Sequence, residues 1–260
     1  MKWGDDMELW TKQHAVTLLP ALAAMILIAL ILRRAIGNKD DRVRMIPFHL
    51  LSVVIVALEI GKQVESLRRG YDLYHLPFHF CSLFIFVLPF MSLYKGKHVQ
   101  TVRSIAASLC TSVFLLMMAY PSLIYSAWNI DMFFADPFSF HTVLFHNIVV
   151  FAFLLFLALG VCDLQKKGQW KPLLIFTLCF CAVSATMAQL LQTNFNNFYS
   201  CNVPPLEELR LSLQSSLGYG LTQGLYVAAV TVLDLVFVQL CYRLLRLLSK
   251  LLPYKKLAVK

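Results

Sequence analysis

The chain alternates long apolar stretches with short polar ones. Apolar segments run at roughly 15–33, 45–66, 75–94, 103–126, 138–162, 172–193 and 217–242. Most reach the ~20 residues that a helix needs to cross the hydrocarbon core of a bilayer. Helices are expected, because backbone polar groups in lipid must be satisfied internally and the alternation of a membrane β-strand is absent. The pattern predicts an all-α polytopic membrane bundle of seven transmembrane helices.

Composition agrees with this pattern. Hydrophobic residues make up 59% of the chain and charged residues 14%, with a mean hydropathy of +0.68; soluble domains carry roughly 25% charged residues. We therefore expect residues 1–260 to form a single transmembrane domain. The net charge of +9 comes from cations beside the apolar segments, so nucleic acid is not expected as a partner, whereas membrane lipids are.

The distribution of basic residues predicts the orientation. Seventeen of the 23 Lys and Arg residues follow the first, third, fifth or seventh apolar segment. The positive-inside rule places these connections in the cytoplasm, with the N-terminus outside and the C-terminus inside. The basic tail, residues 243–260, is expected to form a helix on the anionic surface of the inner leaflet.

Polar side chains at membrane depth gather toward the outer ends of the predicted helices. A charge there costs roughly 2.5–3.5 kcal/mol on the insertion scale, so each needs a reason. They predict a polar pocket on the outer side, formed by Glu59, His75, His79, Cys81, His141, His146, Asn147, Gln189, Gln192, Asn194, Asn196, Asn197 and Gln223. Two points stay open here. Glu59 could instead form an internal ion pair with Lys62, and Asp234, in the inner half, could neutralise a cytoplasmic arginine or belong to a proton path.

Cys81 is the candidate nucleophile, with His146 or His79 as its general base. If helix three begins at His75 and Pro77, the thiol lies in the second turn, where the helix N-terminus still favours the thiolate modestly. A buried, inert cysteine is the alternative. His75 and His79 are four residues apart and could ligate a metal, but no third ligand has a recognisable spacing. No metal or cofactor is predicted.

Four short stretches carry a family resemblance: Leu58-Glu59-Ile60-Gly61, His75 to Cys81, Phe145-His146, and Thr193 to Tyr199 followed by Pro204-Pro205. They resemble the YwaF-type integral membrane proteins, which include the animal transmembrane protein 164 lipid acyltransferases. The resemblance implies acyl transfer between phospholipids through a cysteine and a histidine. The animal motif has its cysteine directly after the proline, a position that Phe78 occupies here. The form of the His75–Cys81 stretch is similar to that of the bacterial branch, which implies a bacterial plasma membrane.

With the resemblance, we expect a membrane-embedded acyltransferase acting on phospholipid or another acyl lipid. Cys81, His146, His79 and Glu59 would be catalytic; His141, Gln192, Asn194, Asn196 and Asn197 would bind substrate. The alternative is a non-enzymatic protein that binds or transports lipid in the same pocket, and a receptor also stays open. Inverted repeats typical of carriers are absent. Light sensing through a retinal Schiff base is disfavoured, since no lysine lies between Leu217 and Tyr242.

Overall fold

A computed structural model describes residues 9–251 and contains helices and turns but no strand over that range. The helices are α1 (Lys12–Ile36), α2 (Asp41–Arg44), α3 (Ile46–Arg68), α4 (Phe84–Leu93), α5 (Val99–Ala119), α6 (Ala127–Asp131), α7 (Pro137–Leu159), α8 (Trp170–Leu191), α9 (Pro204–Leu217) and α10 (Tyr219–Leu251). The all-α class predicted from the sequence is confirmed. The prediction of an integral membrane protein is confirmed as well. Within residues 9–251, six helical segments are long and apolar enough to cross a bilayer, if α2 and α3 are counted as one.

The segment expected as the third span, 75–94, is not one continuous helix. It consists of 3-10 turns at Leu73–His75 and Cys81–Leu83 followed by α4, and the backbone between the turns is not helical. The expectation that Pro77 opens a helix was wrong, because the chain does not become helical until the turn that begins at Cys81. A proline also pushes the residue before it out of the helical region, which separates His75 from any helix that follows. Leu76 accordingly has φ −62° and ψ 147°. The apolar helix from Cys81 to Leu93 is about 20 Å long, shorter than the ~30 Å core. Seven full-length spans therefore stay a prediction.

Contacts between connections define one end of the bundle, which we call the basic end. Arg103 donates to Asp41 Oδ2 at 2.6 Å and to the carbonyl of Val161 at 2.9 Å, and Arg44 donates to the carbonyl of Leu159 at 3.1 Å. These carbonyls lie at the C-terminus of α7, where guanidinium groups balance the negative end of the helix dipole. Two buried arginines thus hold α2, α5 and α7 together at this end.

Other contacts define the opposite end. Trp10 Nε1 donates to the carbonyl of Met118 at 3.2 Å, His14 Nε2 lies 2.9 Å from the carbonyl oxygen of Tyr125, and Arg69 pairs with Asp136 at 3.2 Å. Successive long helices therefore run between the two ends in alternation. Which end faces the cytoplasm stays a prediction from the positive-inside rule.

The interior is packed mainly around α5 and α7. Both helices are enclosed along most of their length, whereas α1 and α10 leave most of their side chains toward the surroundings. The tail expected at 243–260 continues α10 without a break as far as Leu251. Residues 252–260 lie outside the described range, so a separate surface helix remains a prediction.

The hydropathy pattern did not predict α9. Pro204 and Pro205 occupy its first turn, where proline is well tolerated. Its leucines at 206, 209, 213 and 217 share one face, with polar residues such as Ser212 and Ser215 opposite. This separation of apolar and polar residues makes α9 amphipathic. None of its residues is buried, and it packs against α10.

Candidate functional site

A cavity of about 1180 Å³ lies toward the opposite end of the bundle, between α3, α5, α7, α9, α10 and the non-helical segments before α4 and α9. This exceeds the volume of roughly 300–1,000 Å³ common for small-molecule pockets. Eight of the nine residues expected to be catalytic or to bind substrate line it: Glu59, His79, Cys81, His141, His146, Asn194, Asn196 and Asn197. Gln192 is not among the lining residues. It is exposed and ends α8 in a left-handed conformation, with φ 49°.

Glu59 connects three side chains at one wall of the cavity. Its Oε1 lies 2.8 Å from Lys62 Nζ and accepts a hydrogen bond from Gln63 Nε2 at 2.7 Å. Its Oε2 lies 3.3 Å from His141 Nε2, although the two are not aligned for a hydrogen bond. Glu59, Lys62 and His141 each have only 11% of the side chain exposed. The internal ion pair between Glu59 and Lys62 is therefore present, and the same carboxylate lies close to His141 on α7.

The same network fixes the segment that leads to Cys81. Gln63 Nε2 donates to the carbonyl of His75 at 2.8 Å, and His75 Nδ1 lies 2.7 Å from Ser66 Oγ. Since residues 76–80 are not helical, His75 and His79 do not share the helix face expected for a metal pair. No group of three potential metal ligands occurs within residues 9–251.

His79 lies within the break in the third span, and Cys81 directly follows the break. His79 Nε2 is 3.0 Å from the carbonyl oxygen of Tyr74, and its ring packs between Tyr74 and Phe195, with centroids 4.4 and 5.3 Å away. Cys81 begins the 3-10 turn before α4 instead of lying in the second turn of a helix. The thiol therefore lies at the start of the helical segment Cys81–Leu93, nearer to the positive end of the helix dipole than predicted, and it lines the cavity.

His146 is oriented by its own helix. Its Nδ1 lies 2.7 Å from the carbonyl oxygen of Thr142, one turn earlier in α7. A carbonyl only accepts, so Nδ1 carries the proton and Nε2 is left as the proton acceptor. Because a general base needs such a nitrogen on the reacting side, His146 has the tautomer that the role requires.

The asparagine-rich segment folds back into the bundle after α8. Asn196 and Asn197 have φ values of 50° and 60°, a left-handed conformation that asparagine adopts more readily than most residues. Asn196 Nδ2 donates to Asp234 Oδ2 at 2.7 Å, and the carbonyl of Asn197 accepts from Tyr226 at 2.6 Å. Asn197 Oδ1 is buried without a hydrogen-bond partner.

Asn194 has a structural part in this loop. Its Oδ1 accepts hydrogen bonds from the backbone of Tyr199 at 3.2 Å and of Ser200 at 3.1 Å, while its amide donates to Asn202 at 3.1 Å. These bonds close the turn and leave Asn194 little capacity for a ligand. The three asparagines selected together from the sequence thus differ in what they can do.

Three further charged residues line the cavity but were not selected as site residues. Lys62 was considered only as an ion-pair partner, Asp234 only as a partner of a cytoplasmic arginine or part of a proton path, and Arg210 only as one of the basic residues on the outer side. Asp234 accepts from Asn196 and from the Cys181 thiol at 3.7 Å, but has no cationic partner among the described residues. Its charge at membrane depth was the signal that could have marked it.

Arg210 attaches α9 to the rest of the bundle. It donates to Glu207 at 2.6 and 2.8 Å and to Gln223 Oε1 on α10 at 3.0 Å, and its guanidinium lies 5.6 Å from the centre of the Tyr226 ring. Its hydrogen bonds hold the pKa of the Glu207 carboxyl below the usual value of 4.5. The ion pair is therefore intact at neutral pH. Because Glu207 and Arg210 both belong to α9, the link to α10 comes from the bond of Arg210 to Gln223 and its contact with Tyr226.

Comparison with known proteins identifies one family. The model of the TMEM164 family matches residues 9–242, which is most of the chain and includes every residue of the site described above. No curated protein and no solved structure matches the chain significantly.

Proposed function

The chain belongs to the TMEM164 family, and on that premise we propose that it is a membrane-embedded acyltransferase acting on phospholipid or another acyl lipid. The observation that supports this most is that the Cys81 thiol, His79, His146 and the Glu59 network line the same cavity. A thiol and a base at one cavity are the parts that nucleophilic acyl transfer needs. The bacterial form of the His75–Cys81 segment further supports a bacterial plasma membrane as its location.

The first half of the reaction would form a thioester. Cys81 Sγ attacks the ester carbonyl of the donor lipid while His146 Nε2 takes the thiol proton. The ester C–O bond then breaks, and the leaving lysolipid oxygen receives that proton from His146. His79 is the second candidate base, but its ring is packed between Tyr74 and Phe195.

The second half regenerates the enzyme. The hydroxyl of an acceptor lysolipid attacks the thioester carbonyl, its proton passes to His146, and the sulfur leaves and recovers a proton. Asn197 is better suited than Asn196 to donate to the oxyanion, because the amide of Asn196 already donates to Asp234. His141, held beside Glu59, would contact the substrate.

Lipid mass spectrometry tests this function directly. The purified protein is incubated with a defined phospholipid donor and lysolipid acceptor, and the exchanged acyl chain is measured. Transfer should fall at least about 100-fold in Cys81→Ala and in His146→Ala. Matched controls are Cys179→Ala, which changes an exposed cysteine outside the cavity, and His98→Ala at the basic end. Unchanged transfer in Cys81→Ala would refute the covalent mechanism.

A non-enzymatic lipid-binding or lipid-transporting protein is the second candidate, supported by Phe78. The position of the family's cysteine is filled here by an aromatic ring that packs against Phe195, with centroids 5.3 Å apart, and its backbone carbonyl accepts from Ser184 at 2.7 Å. This residue serves packing. Co-purified lipid without transfer in any variant, wild type included, would favour this second function.

A further inference from the structure

One face of α10 lines the cavity over most of the depth of the bundle. Residues three or four apart along the helix contribute to it: Thr222, Leu225, Tyr226, Ala229, Val230, Leu233, Asp234, Phe237 and Val238. Thr222 and Val238 are 16 positions apart, which corresponds to about 24 Å along the helix axis. The cavity is thus a groove that follows α10.

The groove is lined mainly by apolar side chains, and many of these side chains are exposed instead of packed against another helix. Leu225 and Leu233 are 56% and 68% exposed although both line the cavity, and the leucines of the inner face of α9 are exposed as well. Asp234 is the charged exception on this face of α10, and its carboxylate is engaged by Asn196 and Cys181. The occupant that fits such walls is a hydrocarbon chain.

The groove has a closed end toward the basic side. Its deepest lining residues are Val113 on α5 and Phe237 and Val238 on α10. Directly beyond them, Leu109, Cys110 and Cys241 are all 0% exposed. A chain that enters from the opposite end or from the lipid would therefore stop at this floor.

We propose that this groove binds one acyl chain of a bilayer lipid and that Phe237 limits the length of the chain. The inference rests on the proposed use of the cavity by an acyl lipid. The chains of one leaflet fill about half of the ~30 Å hydrocarbon core, so a groove of about 24 Å accommodates an extended chain. Because the floor is closed, chains longer than the groove have to bend or remain partly outside.

The test is the chain-length profile of bound lipid. Protein reconstituted in vesicles that contain equal amounts of phospholipids with different chain lengths is re-purified, and bound lipid is compared with the vesicle composition by mass spectrometry. Phe237→Ala should shift the longest enriched chain upward by about two to four carbons, because a phenyl ring is removed from the floor. Val236→Ala, next to it but exposed and not lining the cavity, should leave the profile unchanged.

A second variant fills the groove instead of deepening it. Ala229→Phe should lower lipid occupancy about tenfold or restrict it to shorter chains, whereas Ala228→Phe, on the adjacent position outside the cavity lining, should not. Thermal unfolding of each variant shows whether it is folded.

Binding and transfer separate the two proposals. The groove is refuted if Phe237→Ala keeps the wild-type chain profile, even where acyl transfer is observed. A profile that shifts as expected in a protein without transfer would support the groove and refute the enzymatic function.

Discussion

At the scale of single residues, Glu59 is the charge on which the candidate site depends. It lies against Lys62, Gln63 and His141, and it is nearly inaccessible. Removing one member of a buried ion pair leaves the other charge uncompensated, which costs about 3–5 kcal/mol in soluble proteins. The same carboxylate also sets the position of His141. Its contact with Lys62 therefore affects thermal stability, whereas its contact with His141 affects acyl transfer, and the two effects can be measured separately.

Glu59→Gln should lower both thermal stability and acyl transfer, because Lys62 keeps its charge without a counter-charge. The double variant Glu59→Gln with Lys62→Gln should recover most of the thermal stability, since no unpaired charge remains, but not the transfer rate. Unfolding temperature and transfer are measured on the same preparations. Recovery of both properties in the double variant would show that the pair serves stability alone.

Polar residues at membrane depth could be found from the sequence because their cost in lipid requires a shared polar space. This reasoning selected Glu59, Cys81, His146 and the asparagines, which line one cavity. It also selected Gln192, which does not line that cavity, and it did not select Asp234, which does. Gln192 ends α8 and turns away, whereas Asn196 is carried back into the bundle to meet Asp234. That return depends on a loop with left-handed residues, which hydropathy does not reveal.

At the scale of elements, the break in the third span and the helix α9 are the two features that the hydropathy pattern did not show. Both lie at the cavity. Irregular backbone at membrane depth is tolerated where it is buried in protein or lines a cavity, which is where residues 76–80 are found. In α9 the leucines alternate with polar residues, so its average hydropathy stays too low for a span and it was expected as a loop.

The attachment of α9 by Arg210 leads to a prediction about its mobility. Arg210→Ala removes the hydrogen bonds to Glu207 and Gln223, so hydrogen exchange of the amides in 204–217 should rise about tenfold. Arg68→Ala serves as the control, since Arg68 is an exposed residue of α3 whose ion pair with Glu65 is long, at 3.8 Å. Exchange that does not change in 204–217 would mean that apolar contacts, not the bond between Arg210 and Gln223, hold α9 at the cavity.

At the scale of the whole molecule, the two ends of the bundle differ in packing and chemistry. The basic end is closed by Arg44, Arg103 and Asp41 around the C-terminus of α7. The opposite end contains the cavity and its amphipathic cover. An open end above a closed floor suits a site that lipid enters and leaves from the same side.

Intact-protein mass spectrometry after incubation with a phospholipid of one defined acyl chain tests the covalent step most directly. The protein should gain the mass of that acyl group on Cys81, the adduct should be released by hydroxylamine as a thioester is, and Cys81→Ala should not form it while Cys179→Ala does. A protein that transfers acyl chains without an adduct, or with an adduct that persists in Cys81→Ala, would contradict the assignment of Cys81 as the nucleophile.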